Sequence, residues 1–344
     1  MTAGDGRRLV LVVGVGRSGT SLLTGILAQL GFHVPRPEVQ ADDTNPRGFS
    51  EPRWVVGFHT RMLRAHRVTV NDARPEAFTV TRAAGEAPEA HAELRRWLKE
   101  QLAQSDAVVV KDPRTSWFLP LWQASADELT VPTSFVTMLR HPTEVVASAR
   151  ASYGDWQSEA SRTAAWINVA LETEVATRGS RRAFVRYEDL LRDWRAELTA
   201  AEQRLGTPLL AGATDEQAAA VDAFVDPGLH RNRAGWDGRN VPDRLRDVAE
   251  DVWTRLQPLA DAGGDGPDTH AALDEARAAY AALYREAEEI AQSSIVAVKA
   301  RRPKPKPAPR AAGGRSATPP SLRVRVARRI PQRYRRRIRR ALGR

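Results

Sequence analysis

A five-residue apolar run, Leu9 to Val13, breaks off at Gly14-Val-Gly-Arg-Ser-Gly-Thr-Ser21, and a helical pattern opens directly behind it. An unbroken apolar run bounded by glycine suits a strand buried on both faces of a parallel sheet. The glycines let the chain turn so that the N–H groups and the dipole of the next helix converge on one point, which makes an anion site. Comparable runs recur at Val108 to Val110, Phe135 to Leu139 and Ala183 to Val185, with helical patterns at about 20–30, 52–65, 88–104, 143–152, 160–177 and 194–205. Strand and helix alternate, so the spacing predicts an α/β fold of three layers, a central parallel sheet flanked by helices. After residue 212 only helical segments follow, near 214–224, 242–262 and 268–292, with Gly263-Gly-Asp-Gly-Pro267 between the last two. There is no internal repeat.

Three anion chemistries compete for the loop. Gly14, Gly16 and Gly19 satisfy the dinucleotide pattern G-x-G-x-x-G, which also needs a second strand ending in an acid about 20 residues on. Here that stretch is Gly31-Phe-His-Val-Pro-Arg-Pro-Glu38, and its two prolines make a poor strand end. Gly14, Gly19 and Ser21 also fit the triphosphatase frame G-x-x-x-x-G-K-[ST], but Thr20 stands where the lysine belongs. The cation lies earlier, at Arg17. A kinase or NTPase with a displaced cation is therefore the alternative reading.

The third chemistry is sulfuryl transfer. Gly16-Arg-Ser-Gly-Thr-Ser-Leu-Leu23 resembles the 5′-phosphosulfate loop of sulfotransferases that use 3′-phosphoadenosine 5′-phosphosulfate, and the resemblance implies that Gly16, Arg17, Ser18, Gly19, Thr20 and Ser21 bind that donor. It also implies a 3′-phosphate site after a later strand, an Arg followed by Pro two positions on and Ser eight positions on. Arg140-His-Pro142 and Ser148 stand at that spacing. Arg140 leaves a strand end and can fork onto a phosphate, and Pro142 suits the first turn of the helix that carries Ser148. Val185-Arg-Tyr-Glu-Asp-Leu190 is similar to the segment whose tyrosine, here Tyr187, lies at the adenine; a tyrosine ending a strand also suits plain packing. Val110-Lys-Asp-Pro-Arg-Thr115, Trp117 to Trp122 and Asp189 to Trp194 look like bacterial members acting on carbohydrates. Leu229-His-Arg231-Asn-Arg233 is a further candidate phosphate contact. The family implies a P-loop-like fold, an in-line transfer without a metal, and a saccharide or glycolipid acceptor.

A hydroxyl acceptor needs a base. The resemblance points to Glu51, in Asn45-Pro-Arg-Gly-Phe-Ser-Glu-Pro-Arg-Trp54; a carboxylate there also suits the dipole of the helix that follows, and both readings stand. Asp112, Glu38 and His59 are the other candidates. Arg17 grips the leaving phosphate in this scheme. Lys111, with Asp112 and Arg114, follows a buried strand at the sheet edge where α/β ligands bind, although a local ion pair would look the same. His141 adjoins Arg140. Trp54, Trp117 and Trp122 are candidate flat faces for a sugar or lipid, or core packing.

Charge divides the 344-residue chain. Of 52 Lys and Arg against 42 Asp and Glu, 18 bases and no acid fall in residues 299–344; the remaining 34 bases leave residues 1–298 at −8 although the whole carries +10. A generally basic, nucleic-acid-binding body is thereby excluded. The chain holds no cysteine, which removes disulfides, thiolate nucleophiles and thiolate metal sites. The expected domains are a sulfotransferase domain over 1–298, a Pro-rich linker over 299–321 and an Arg-rich amphipathic tail over 322–344. In the tail Leu322, Val326, Ile330, Tyr334, Ile338 and Leu342 recur every four positions, a stripe that favours an anionic membrane surface over nucleic acid. No apolar stretch reaches the ~18 residues of a membrane span, and the expected location is the cytoplasm, peripheral at the inner face of the plasma membrane. Oligomeric state is not legible.

Overall fold

The computed structural model describes residues 6–42, 45, 48–210, 212–226, 228 and 235–301. The candidate segment Leu229 to Arg233 and the tail over 322–344 lie outside the described residues, as do Pro46 and Arg47 of the loop before Glu51. Four parallel strands, β1 (Arg8–Val13), β2 (Ala107–Lys111), β3 (Thr133–Leu139) and β4 (Arg181–Arg186), pair in the order β2-β1-β3-β4. Each of the four apolar runs is one of these strands. The register sets Val12 beside Lys111, Val13 beside Thr137 and Leu139 beside Arg186, so the C-terminal ends of the strands open on one edge of the sheet. The chain leaves β1 for β2 on one side and then crosses to β3 on the other, which makes the end of β1 the switch point where α/β sheets bind ligands.

The helices are α1 (Thr20–Gln29), α2 (Arg53–Ala65), α3 (Glu76–Gly85), α4 (Pro88–Leu102), α5 (Leu119–Asp127), α6 (Pro142–Tyr153), α7 (Glu159–Ala176), α8 (Tyr187–Arg192), α9 (Trp194–Leu205), α10 (Asp215–Phe224), α11 (Asp243–Leu256) and α12 (Pro267–Arg301). Alternate strand residues feed two cores, as the period of two requires. Val10, Val12, Val136, Met138 and Val185 face Leu23, Ile26 and Leu27 of α1, with Leu190, Leu198 and Val221 from α8, α9 and α10. Leu9, Leu11, Val13, Phe135 and Phe184 face a larger cluster that includes Phe58, Leu94, Trp117, Trp122, Ile167 and Val252. The sheet is thus the middle of three layers.

The structure differs from the pattern reading at several helices. The segment expected at 242–262 ends as α11 at Leu256 and continues as a 3₁₀ turn, Gln257–Ala260, where Pro258 has no N–H for the α ladder. The last helix runs on to Arg301. By its internal contacts the chain divides into two units, Met1–Ile290 and Ala291–Arg344. The dinucleotide reading fails on the strand that it needs: among the described residues that follow α1, His33 joins the sheet by an isolated bridge to Val108 and not by a strand.

Candidate active site

The glycine loop turns between β1 and α1 with three residues in the left-handed region, Gly14 at φ 120°, Arg17 at φ 74° and Gly19 at φ 98°. For Arg17 that conformation is a steric cost, of the kind that surrounding contacts must hold in place. Arg140 donates from Nη1 to the Arg17 carbonyl at 3.1 Å, and Arg17 Nε donates to Ser148 Oγ at 3.0 Å. Ser18 Oγ donates to the Val15 carbonyl at 2.6 Å. Gly19 cannot carry a side chain, because a Cβ there would stand 2.3 Å from the Tyr187 ring. The same ring lies beneath Arg140, whose guanidinium carbon is 4.1 Å from its centroid.

Arg17, Gly19, Arg140, Ser148 and Tyr187, spread over 170 residues of sequence, therefore form one cluster at the switch point. Gly19 is the N-cap of α1 and offers no side-chain cap, and the first turn of α1 holds no acid. The open N–H groups and dipole of α1, with Arg17 in the loop that leads into it, suit an anion. Tyr187 is 6% exposed and packs between loop and arginine. Arg140 is held on its Nε by Glu144 at 2.9 Å, one turn along α6, a pairing visible in the i, i+4 spacing.

A second cluster meets the first through Ser21. Lys111, at the end of β2 and 3% exposed, donates to Ser21 Oγ at 3.1 Å, to the Phe49 carbonyl at 3.3 Å and to Glu51 Oε1 at 2.6 Å. The cation missing from position 20 of the loop thus arrives through space, from the strand next to β1. Glu51 does not cap the helix that follows it: the N-cap of α2 is Pro52 and no side chain caps that end. Its carboxylate points to Lys111, with Arg114 Nη1 at 4.0 Å from Oε2.

The remaining base candidates sit elsewhere in the network. Asp112 is 1% exposed; burial alone would raise its pKa, but the hydrogen bond with His59 at 2.8 Å and the Arg114 guanidinium at 2.7 Å outweigh it and hold the carboxyl at about 2. His59 is fully buried. The Trp122 indole N–H can only donate, so His59 Nε2 accepts from it at 3.0 Å and Nδ1 carries its hydrogen toward Asp112. Neither nitrogen is left to take a proton from an acceptor. Glu38 pairs at 3.4 Å with Arg36. Of the tryptophans, Trp117 and Trp122 are core residues, and Trp54 stacks on Phe58 at 5.0 Å and Trp97 at 4.7 Å, so they are packing and not open platforms. The His59–Asp112–Trp122 link and the Ser116 Oγ that accepts from Gly14 N–H at 3.4 Å leave no mark in the sequence, since no local spacing joins such distant positions.

His141 has a structural task. Its Nδ1 accepts from the Thr143 N–H at 3.3 Å, capping α6, and its Nε2 donates to Glu250 of α11 at 3.0 Å. Burial lowers its pKa, opposed by Glu250. No group of His, Asp and Glu among the described residues could hold a metal ion, and no described helix is long and apolar enough to cross a membrane.

A parallel sheet with a glycine loop at its switch point, Arg17 on that loop, Arg140 bonded to it from the end of β3 and a buried Lys–Glu pair beside it fit a nucleotide-fold group transferase. The sulfotransferase family model matches residues 10–211, more than half of the chain, and the chain belongs to that family. It is similar in structure to the sulfotransferase domain from the Synechococcus PCC 7002 olefin synthase, at 19% identity and a TM-score of 0.37, over 80% of this chain and 96% of that one. No curated protein matches it.

Proposed function

We propose that this sulfotransferase takes its sulfuryl group from 3′-phosphoadenosine 5′-phosphosulfate and delivers it to a hydroxyl of a carbohydrate or glycolipid. The reading rests on the chain of contacts from loop to carboxylate, Ser21 Oγ to Lys111 Nζ at 3.1 Å and Lys111 Nζ to Glu51 Oε1 at 2.6 Å. A base and a cation then stand within reach of one anion site, as an in-line transfer needs.

The acceptor oxygen forms a bond to sulfur, the bond from sulfur to the 5′-phosphate oxygen breaks, and the hydroxyl proton passes to Glu51. The products are a sulfate ester and adenosine 3′,5′-bisphosphate. Arg17 and the α1 N–H groups hold the 5′-phosphate, while Lys111 neutralises charge between it and Glu51. Arg140 and Ser148 take the 3′-phosphate, with Tyr187 beside the adenine. Because Arg140 also holds the Arg17 carbonyl, occupancy of one phosphate site stiffens the other.

Calorimetric titration with adenosine 3′,5′-bisphosphate tests the donor: heat of binding that disappears in Arg140→Ala is expected, and absence of binding by the intact protein rejects it. Glu51→Gln is expected to keep that affinity and to lower turnover of labelled donor onto native polysaccharide and lipid extracts by about 10²-fold or more. Unchanged turnover removes Glu51 as the base.

A further inference from the structure

The solvent face of α2 begins two residues beyond Glu51. From Pro52 to Asn71 the chain carries four arginines, at 53, 61, 64 and 67, and no Asp or Glu, in a body whose net charge is −8. Arg53, Val56, Gly57, Thr60, Arg61 and Arg64 follow one another at helical spacing and, with Val39, line a cleft of about 520 Å³. Arg61 is paired with Glu93 at 2.5 Å, whereas the exposed guanidinium groups of Arg53 and Arg64 have no acidic or carbonyl partner among the described residues. Eleven positions separate those two, a span of about 16 Å along the helix.

The cleft is joined to the base. Val39 N–H donates to the Glu51 carbonyl at 2.8 Å and Arg53 N–H to the Pro37 carbonyl at 2.8 Å, so two residues that line the cleft, Val39 and Arg53, are tied to the backbone of the segment that carries Glu51. Its floor is small and neutral. None of the exposed large apolar residues, Val80, Tyr153, Trp156, Ile290 and Val296, lies in it. A lipid surface would call for such residues and stacked bases would call for an open aromatic face. Unpaired guanidinium groups around a shallow floor of Val39, Val56, Gly57 and Thr60, with no large apolar or aromatic face, suit a chain that bears sulfate or carboxylate groups.

We infer that the α2 cleft is the acceptor track of this enzyme and that its acceptor is an anionic polysaccharide, with charged groups on Arg53 and Arg64 while a neighbouring hydroxyl lies at Glu51. This rests on the sulfuryl-transfer reading of Glu51 and adds the charge class of the acceptor and the face on which it lies.

Arginine footprinting on the full-length protein tests it, with phenylglyoxal modification followed residue by residue by mass spectrometry. Low-mass dextran sulfate and oligogalacturonate are the probes, and neutral dextran is the control. Modification of Arg53 and Arg64 is expected to slow at least fivefold with one or both anionic probes and not with neutral dextran, the more protective probe identifying the anionic group. Adenosine 3′,5′-bisphosphate is expected to leave both arginines reactive while protecting Arg17, so failure of the donor reading shows at Arg17 alone. Equal modification of Arg53 and Arg64 with the two anionic probes and neutral dextran, or protection only by a single-stranded oligonucleotide, overturns the inference.

Discussion

Lys111 ends a parallel strand with its ammonium shared among a loop hydroxyl, a backbone carbonyl and a carboxylate, and only 3% of the residue reaches solvent. Such a buried cation is tolerable because each partner accepts from it. Replacing it by methionine preserves length and removes the charge, leaving Glu51 with Arg114 4.0 Å away. Lys111→Met is expected to cost about 3 kcal/mol of stability, the usual consequence of breaking a buried pair, and to lower turnover by roughly 10²-fold. Chemical denaturation and a labelled-donor assay measure the two effects separately. Asp112 follows a different rule. Its pKa is depressed to about 2 from about 3.9 in the unfolded chain, so the stability it contributes is complete above about pH 4 and is lost as the pH falls through about 2. Asp112→Ala is expected to lower the melting temperature at pH 7 and to have little further effect at pH 2, which parallel melts would show. A deficit that persists undiminished at pH 2 contradicts the assignment.

At the scale of elements, His141 joins the start of α6 to α11 in its neutral form, with Nδ1 accepting and Nε2–H donating. Burial lowers its pKa, so the cap is intact above the unfolded value of about 6.5 and is lost as acid protonates the ring. Loss of a helix cap costs about 1 kcal/mol, a shift of roughly 2 °C in a domain of this size. The melting temperature is expected to fall between pH 7.5 and pH 5 in the native chain, and by less in His141→Asn, which keeps a capping side chain without the titration. The strands, and the closeness of Arg140 to Ser148, are legible in the sequence because each is local: a strand buried on both faces reads as a short unbroken apolar run, and Arg140 and Ser148 flank the start of one helix. Helices α3 and α5 are not legible in the same way. Glu76–Gly85 mixes Glu, Ala and Arg with Phe, Thr, Val and Gly and so gives a weak helical signal, and α5 lies inside an aromatic run that resembles core packing of any kind. The Lys111–Glu51 and His59–Asp112 contacts join residues 60 and 53 positions apart, brought together where α2 and the segment before it pack against the end of β2 and the turn Pro113–Trp117 that follows.

Across the whole molecule, charge is sorted by role. Residues 1–298 carry −8, against which Arg17, Arg140 and the arginines of α2 stand out as local positive charge, while residues 299–344 carry +18 and no acid. We propose that the tail over 322–344 holds the enzyme at an anionic membrane surface. The sequence supports this in two ways: every fourth residue from Leu322 to Leu342 is apolar or tyrosine, and the arginines between them supply roughly 1 kcal/mol each when they lie near an anionic leaflet. Pro331 interrupts the stripe in the sequence. Electrostatic attachment weakens as salt screens it, with a Debye length of about 10 Å at 0.1 M and about 3 Å at 1 M, whereas the apolar contribution does not. Full-length protein is therefore expected to sediment with vesicles containing phosphatidylglycerol at low salt, to bind them more weakly at 1 M salt, and to ignore neutral phosphatidylcholine vesicles. A chain ending at Val298 is expected to stay in the supernatant in every case while binding adenosine 3′,5′-bisphosphate with the same affinity. Equal sedimentation of the two chains would falsify the tail's role and direct attention to Tyr153, which is 47% exposed with the Arg17 guanidinium 5.8 Å from its ring centroid.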